Sequence, residues 1–175
     1  IREGHDQEEY SIREIFERLM PEKHLEDRIF RSIVSEDMVA DDASPALADI
    51  RRKIKQTNSS IKEMLQKYVS GAYSKYLQEN IVTQRNGRYV VPVKAEYRSE
   101  VRGLVHDTSA SGATLFIEPI AVIDANNKLR ELEASETHEI ERILYDLSAS
   151  LSAFSGELRL NYDNITFLAF IFGCA

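Results

Sequence analysis

The chain has 175 residues, of which 43% are hydrophobic and 29% charged, a balance typical of a folded, water-soluble protein. No apolar run reaches the ~18 residues that a membrane span needs, and the first residues are too polar for a secretory signal. The sequence therefore predicts no membrane contact, and the single Cys174, which cannot form an internal disulfide, fits a cytoplasmic protein. Its net charge of −7 argues against binding nucleic acid over most of the protein surface, but it allows a local basic patch. One cysteine and four scattered histidines predict no metal site.

Two features suggest that the sequence is part of a longer protein. It begins with Ile1 rather than methionine, and Phe167, Phe170 and Phe172 crowd into its last turns. A native terminus rarely exposes so much apolar surface, so we expect a missing segment to cover these rings. A buried terminal helix is the alternative that the sequence leaves open.

The N-terminal part is predicted to be helical. Residues 6–19 carry one apolar stripe at helical spacing, with Asp6 as N-cap and Glu9 completing a capping box. A second helix is predicted over residues 25–34, and the acidic residues 35–43 are interpreted as a loop.

A longer helix follows, from Pro45 to about Ser70. Ser44 is a favourable N-cap, and Pro45 occupies the first helical position, where its missing N–H is harmless. The apolar residues of this helix recur in steps of three and four once Thr57 is counted with them, which predicts a heptad seam. They are Leu47, Ile50, Ile54, Ile61, Met64 and Tyr68. Gly71 marks its end, and residues 72–79 are expected to add a turn or two.

The only strands predicted lie around residues 81–118. Asn86-Gly87 is typical of a type I′ hairpin turn, because both central positions of that turn need a positive φ. Strands are predicted over residues 81–84, 89–97, 101–107 and 113–118, forming a small antiparallel meander. Pro92 cannot donate to a ladder, so it predicts an edge or a bulge.

The last predicted helical run starts at Pro119 and keeps an apolar stripe for ~40 residues, or ~60 Å. We expect bending at the polar residues 134–139, an interruption at Gly156 and a final helix from residue 160. So long a helix must project and pair with residues 44–70. The predicted fold is mainly α with a small antiparallel β-meander and a long antiparallel helix pair. Its parts are an N-terminal helical region (1–43), a first long helix (44–79), the sheet (80–118) and the final helices (119–175).

The chain contains no phosphate-binding loop and no GxSxG, HExxH or CxxC motif, so no catalytic residue is predicted. His106 precedes a turn rich in hydroxyl groups, which raises the hypothesis of a nucleophile. Adjacent positions on a tight turn do not place nucleophile and base correctly, and turn-forming chemistry explains the residues better.

Basic residues on the predicted sheet are the candidate nucleic-acid contacts, because phosphate binding needs several cations on one face. They are Arg85, Arg88, Lys94, Arg98 and Arg102. The alternative is a solvated face whose charges protect an exposed edge. A second basic set is interpreted as the wet face of the heptad helix: Arg51, Arg52, Lys53 and Lys55. Acidic residues of the last long helix are the expected partners of this set: Glu131, Glu133, Glu136, Glu139 and Glu141.

Two stretches resemble the second-type bacterial MutS homologues, the paralogues distinct from the mismatch-recognising MutS. They are GRYVVPVKAEYRSEVRGLVHDTSASGATLFIEP (87–119) and NNKLRELEASETHEIERIL (126–144). The resemblance implies a core and lever fragment, whose parent carries a dimerising ABC-type ATPase domain that binds ATP and Mg, and a nuclease-like domain with endonuclease activity. Neither domain is recognised in this sequence.

The resemblance also implies that the parent is a homodimer that binds branched DNA and suppresses homologous recombination, or acts on collided ribosomes. Three hypotheses follow for this chain. It is a non-catalytic clamp segment of that ATPase, a structural coiled-coil dimerisation arm without nucleic-acid contact, or a free-standing enzyme using His106.

Overall fold

The computed structural model describes residues 12–173, so the predicted capping residues Asp6 and Glu9 lie outside the described part. The chain divides into two compact units. One contains the chain up to Ala43 together with the chain from Glu141 onward, and the other is Ser44–Ile140. The structure is mostly helical with small antiparallel sheets, as predicted.

The first unit opens with helical residues 12–17, followed by helix α1 (Lys23–Ser32). Two short strands come next, β1 (Ile33–Ser35) and β2 (Met38–Val39), which pair antiparallel. Residues 35–43 are mostly turn and irregular backbone, as predicted, but Ser35 and Met38–Val39 belong to strands, so the confinement of strands to residues 81–118 was wrong. Strands of three and two residues are too short to display the alternation that reveals a strand in sequence.

An asparagine side chain joins two distant segments of the first unit. The amide of Asn161 donates to the backbone carbonyl of Met20 at 2.8 Å and accepts from its backbone N–H at 2.8 Å. Because one amide satisfies both backbone groups, Asn161 holds Met20 as a neighbouring strand would.

The second unit begins with helix α2 (Pro45–Ser70), whose bounds agree with the prediction. The side chain of Ser44 accepts the backbone N–H of Leu47 at 3.0 Å, which confirms the predicted N-cap. Its hydroxyl donates to Glu139 at 2.6 Å. The buried positions of α2 are Leu47, Ile61 and Leu65, so Leu65, outside the predicted seam, faces the core.

Ser44→Ala is expected to lower the free energy of unfolding by about 1–2 kcal/mol, because it removes the helix cap and the hydroxyl that donates to Glu139. Ser70→Ala is the matched control, since the Ser70 hydroxyl donates to a carbonyl within the last turn of the same helix. The free energy of unfolding of this control is expected to stay within about 0.5 kcal/mol of that of the unsubstituted chain. Urea titration of the 175-residue chain measures both, and equal effects would contradict the role of Ser44.

The main sheet is antiparallel, with the strand order β3-β4-β6-β5. This order corrects the predicted meander, because β6 lies between β4 and β5. The Asn86-Gly87 turn has φ angles of 52° and 72°, which confirms the predicted hairpin. The strands are β3 (Thr83–Arg85), β4 (Arg88–Lys94), β5 (Gly103–Thr108) and β6 (Thr114–Pro119).

Pro92 lies beyond the end of β3, where only an isolated antiparallel bridge, Leu77 to Val93, borders β4. The strand β3 pairs with β4 only as far as Val90. The Pro92 carbonyl points away from β6 and accepts the backbone N–H of Gln78 at 2.8 Å. The nitrogen of a strand residue faces the same side as its carbonyl, so the donor that proline lacks falls where β3 has already ended.

A 3₁₀ turn (Ile120–Val122) leads into helix α3 (Ile123–Ala153), and helix α4 (Ser155–Gly173) follows. The helical run thus breaks just before Gly156, close to the predicted interruption, and residues 134–139 are helical throughout. On α4, Phe167, Phe170 and Phe172 are exposed, so the alternative of a buried terminal helix was wrong. Within residues 12–173, no helix combines the length and the apolar character needed to cross a membrane.

One face of the main sheet packs on the helices of the second unit. Tyr89, Val91 and Val93 of β4 share this face with Ile117 of β6, and all four are buried. They form one hydrophobic core with Ile61 and Leu65 of α2, Val122 of the 3₁₀ turn and Leu129 of α3. The sheet is thus fixed between the end of one long helix and the start of the next.

Candidate nucleic-acid interface

The opposite face of the main sheet is partly enclosed, because the two outer strands of the sheet curl toward each other. Arg85 on β3 forms an ion pair with Asp107 on β5 at 3.2 Å, although these strands are the two outer strands of the sheet. At the tip of the hairpin, the Asn86 amide donates to the backbone carbonyl of His106 at 3.2 Å. Val90, which lies on this face, is fully buried. The centre of the face that the sequence suggested to be solvated therefore forms a second interior, while outer positions of the face such as Leu104 stay exposed.

A buried carboxylate lies at the centre of this second interior. Glu118 on β6 is completely inaccessible to solvent. Its Oε1 accepts from the guanidinium of Arg88 at 2.8 Å, and its Oε2 lies 2.6 Å from Nε2 of His106. The Nε2 of His106 and the Oε2 of Glu118 thus share a hydrogen bond. A carboxyl group is tolerated in an interior only when it is paired and hydrogen-bonded, as it is here.

Asn126 connects this carboxylate to helix α3. Its amide nitrogen donates to Glu118 at 2.7 Å and to the backbone carbonyl of Tyr89 at 3.1 Å, and its amide oxygen accepts the Tyr89 N–H at 3.1 Å. Tyr89 lies opposite Gln84 in the hairpin, at a position whose backbone groups point away from β3. Because β4 pairs with β6 only from Val91 onward, the side chain of Asn126 takes the place of the missing strand.

The five cations proposed as nucleic-acid contacts fall into two groups. Arg85 and Arg88 are paired with carboxylates, and the Arg85 guanidinium also stacks 3.9 Å from the centre of the Phe116 ring. Their charges are therefore largely used within the protein.

The other three cations have no carboxylate partner among residues 12–173. Lys94 donates to the backbone carbonyl of Lys75 at 3.3 Å, and Arg98 donates to the carbonyls of Val101 and Gly103. Arg102 is exposed. Strand β4 ends at Lys94, so Arg98 does not continue its face, as the longer predicted strand required, and Arg102 lies just before the strand in which it was predicted. They lie on the connection between β4 and β5.

The second basic set is used mainly for structure. Arg51 pairs with Glu136 of α3 at 2.6 Å, as expected. Arg52 and Lys53 instead pair with Asp49 one turn earlier in α2. The hydrogen bond from Lys53 is the main cause that lowers the pKa of Asp49.

The turn after His106 has a conformational role. The Ser109 hydroxyl accepts the backbone N–H of Thr114 at 3.0 Å, and the Ser111 hydroxyl accepts that of Ala113 at 3.4 Å. Gly112 adopts a φ of 73°. With the Nε2 of His106 bound to Glu118, these residues stabilise the turn, as the sequence indicated. Within residues 12–173, no group of three acidic, histidine or cysteine side chains is placed to hold a metal ion.

Comparison with known proteins gives a consistent result. Over 169 residues the chain is 50% identical to a protein of Acetivibrio thermocellus, a match that covers 96% of this chain. That protein is named endonuclease MutS2. Proteins with the same name from Ruminiclostridium cellulolyticum and Clostridium acetobutylicum are 48% and 47% identical, over 92% and 98% of the chain. No family model matches the chain.

The similarity supports the MutS-like relationship that the sequence predicted. The match covers 21%, 20% and 22% of the three MutS2 relatives, so the chain spans about a fifth of their length.

Proposed function

We propose that this chain is the non-catalytic core and lever segment of a MutS-like ATPase that binds branched DNA and suppresses homologous recombination. The observation that supports this most strongly is the 50% identity, across 96% of the chain, to a protein named endonuclease MutS2. In this proposal ATP and Mg are bound by an ATPase domain outside the chain, which also forms the homodimer. Nuclease chemistry likewise belongs to the parent protein.

Contacts between α2 and α3 support a lever. Ser44, at the start of α2, contacts Glu139, while Arg51, two turns further along, contacts Glu136. Residue numbers thus rise along α2 while those of the contacted residues fall along α3, as in an antiparallel helix pair. An ion pair and a buried hydrogen bond between the helices restrict sliding, which suits a segment that transmits motion.

The cations without carboxylate partners provide the candidate phosphate contacts. Lys94, Arg98 and Arg102 lie at or beyond the end of β4, and Arg98 and Arg102 are exposed. Arginine and lysine at such positions bind phosphate through charge-assisted hydrogen bonds and release counterions. Arg85 and Arg88 contribute less in this proposal, because Asp107 and Glu118 already neutralise them.

Replacing Lys94, Arg98 and Arg102 together with alanine in the full-length parent is expected to weaken binding to a four-way DNA junction. Each lost phosphate contact should reduce the salt dependence of the logarithm of the affinity by about 0.9. The measurement is a junction-binding titration at several salt concentrations, with melting temperatures to verify folding.

The control removes three other cations, Arg52, Lys53 and Lys128, which pair with carboxylates of their own helices. It loses the same formal charge and is expected to retain the parental salt dependence. If both triple variants lose affinity equally, the effect is general electrostatics and the proposed contacts are wrong.

The second candidate function is a structural arm without nucleic-acid contact. It is favoured by the use of Arg85 and Arg88 inside the curled sheet, since these charges then serve stability. In this case the triple substitution leaves junction binding unchanged.

Stalled disomes titrated in parallel test whether the parent binds ribosomes instead. In that case the triple substitution weakens binding to disomes but leaves binding to DNA unchanged.

A further inference from the structure

Four tyrosine rings form a continuous chain on the second unit. Tyr68, near the end of α2, stacks on Tyr73 with ring centres 4.8 Å apart and planes inclined by 30°. Tyr73 is followed by Tyr76 at 6.4 Å, and Tyr76 by Tyr97 at 5.2 Å. We call these four residues the tyrosine ladder.

The ladder is anchored at one side and open at the other. Tyr68, Tyr76 and Tyr97 are partly buried against the hydrophobic core. Burial raises the pKa of the Tyr68 hydroxyl, and the nearby Tyr73 raises it further, so the phenol is neutral under ordinary conditions. Tyr73 is 40% exposed. A tight turn holds it, since its carbonyl accepts the N–H of Tyr76 at 2.9 Å.

Two lysines flank the ladder. The Lys75 ammonium lies 4.8 Å from the centre of the Tyr76 ring, and the Lys94 ammonium lies 5.9 Å from that of Tyr97. Lys94 also donates to the Lys75 carbonyl, so the two segments that carry the lysines are joined. Neither lysine forms an ion pair within the described part of the chain. Glu96 lies beside Tyr97 in sequence and is the nearest acidic neighbour along that segment.

We propose that the tyrosine ladder, with Lys75 and Lys94, binds the unpaired nucleotides of a single strand. Aromatic rings interleaved with cations are the arrangement by which proteins bind single strands, because any base can stack on a ring while the cations follow the phosphates. A base stacks on the exposed ring of Tyr73, and Lys75 contacts the adjacent phosphate. This inference rests on the proposed function and specifies its ligand, since branched DNA exposes unpaired nucleotides where its arms meet.

The ladder is built in advance of binding. Tyr68 already supports Tyr73, so stacking a base does not require the ring to be ordered at that moment. Tyr73, between Tyr68 and Tyr76, is 40% exposed, so part of its ring is accessible to a base while its neighbours hold it in place.

The test uses the full-length parent and a fluorescent 20-nucleotide oligothymidylate, with oligouridylate and a blunt duplex as further probes. Tyr73→Ala is expected to weaken oligothymidylate binding about tenfold, and Tyr73→Phe, which keeps the ring, to preserve it. Lys75→Ala should reduce the salt dependence for the single strand by about 0.7. Tyr145→Ala is the matched control, because Tyr145 is 73% exposed and outside the ladder.

The outcomes separate this inference from the proposed function. If the parent binds four-way junctions but not single strands, or if Tyr73→Ala and Tyr145→Ala have equal effects, the ladder is not a nucleotide site and the proposed function stands. If oligothymidylate binding depends on Tyr73 while junctions are not bound, the ladder is confirmed and the branched-DNA function is wrong. Tighter binding of oligouridylate than of oligothymidylate identifies RNA as the source of the unpaired strand. Loss of duplex binding with Tyr73→Ala would indicate that this variant is misfolded. Lys75→Ala then tests the ladder: a reduced salt dependence of single-strand binding supports it, and an unchanged salt dependence contradicts it.

Discussion

Replacing Glu118 with alanine is expected to lower the free energy of unfolding by about 3–5 kcal/mol, the largest single effect in the second unit. The change leaves the guanidinium of Arg88, whose side chain is only 15% exposed, facing an interior without its counter-charge. It also removes the hydrogen-bond partner of His106 Nε2 and the acceptor of the fully buried Asn126 amide. Urea titration of the 175-residue chain, followed by circular dichroism, measures the loss.

The double variant Glu118→Leu with Arg88→Met separates charge pairing from packing. Replacing both members of a buried ion pair with apolar groups of similar size is often neutral, so the double variant should be far more stable than Glu118→Ala. Asp146→Asn provides an exposed comparison, because its pair with Arg142 is about half accessible and should contribute below about 1 kcal/mol. A Glu118→Ala variant as stable as Asp146→Asn would show that the contacts of Glu118 contribute little.

Asn126→Ala is expected to lower the free energy of unfolding by about 2–4 kcal/mol, because the Tyr89 N–H and C=O then lie buried without partners. The adjacent Asn127 offers a close control. It is exposed and accepts from the outer side of the Arg88 guanidinium at 2.7 Å, so Asn127→Ala should cost less than about 1 kcal/mol. Urea titration compares the two variants.

Hydrogen exchange of the Tyr89 amide distinguishes the mechanism from general destabilisation. In the unsubstituted 175-residue chain this amide should exchange only through global unfolding, because its N–H is hydrogen-bonded to the side chain of Asn126. In Asn126→Ala it should exchange through local opening, well before the amides of Val91 and Val93. Uniform acceleration along β4 would contradict the assignment of Asn126 as the partner that replaces a strand.

The features predicted correctly from sequence are those that depend on neighbouring residues. The Ser44-Pro45 pair places the start of α2, because a cap and a proline act within one helical turn. The Asn86-Gly87 turn is equally local, since two backbone angles define it.

The curled sheet and the contacts of Glu118 could not be predicted in this way. They depend on β6 lying between β4 and β5, which places Glu118 beside Arg88, 30 residues earlier in the chain. A sequence shows the alternation along each strand but not which strands are neighbours, so the basic face was assigned to solvent. One sign was present: Glu118 shares its strand face with Phe116, and a carboxylate beside an aromatic ring is unusual on a solvated surface. Asn126 left no sign, because a polar residue in the first turns of a helix is ordinary.

The amide of Asn126 also has a mechanical consequence. Successive residues of a helix are rotated by about 100°, so a turn of α3 about its axis by even one residue would carry this amide away from Tyr89. The helix therefore cannot slip around its axis at the sheet, and its rotational phase is fixed to the strands. If α3 rotates about its axis at this point, either the sheet rotates with the helix or all three hydrogen bonds of Asn126 break together.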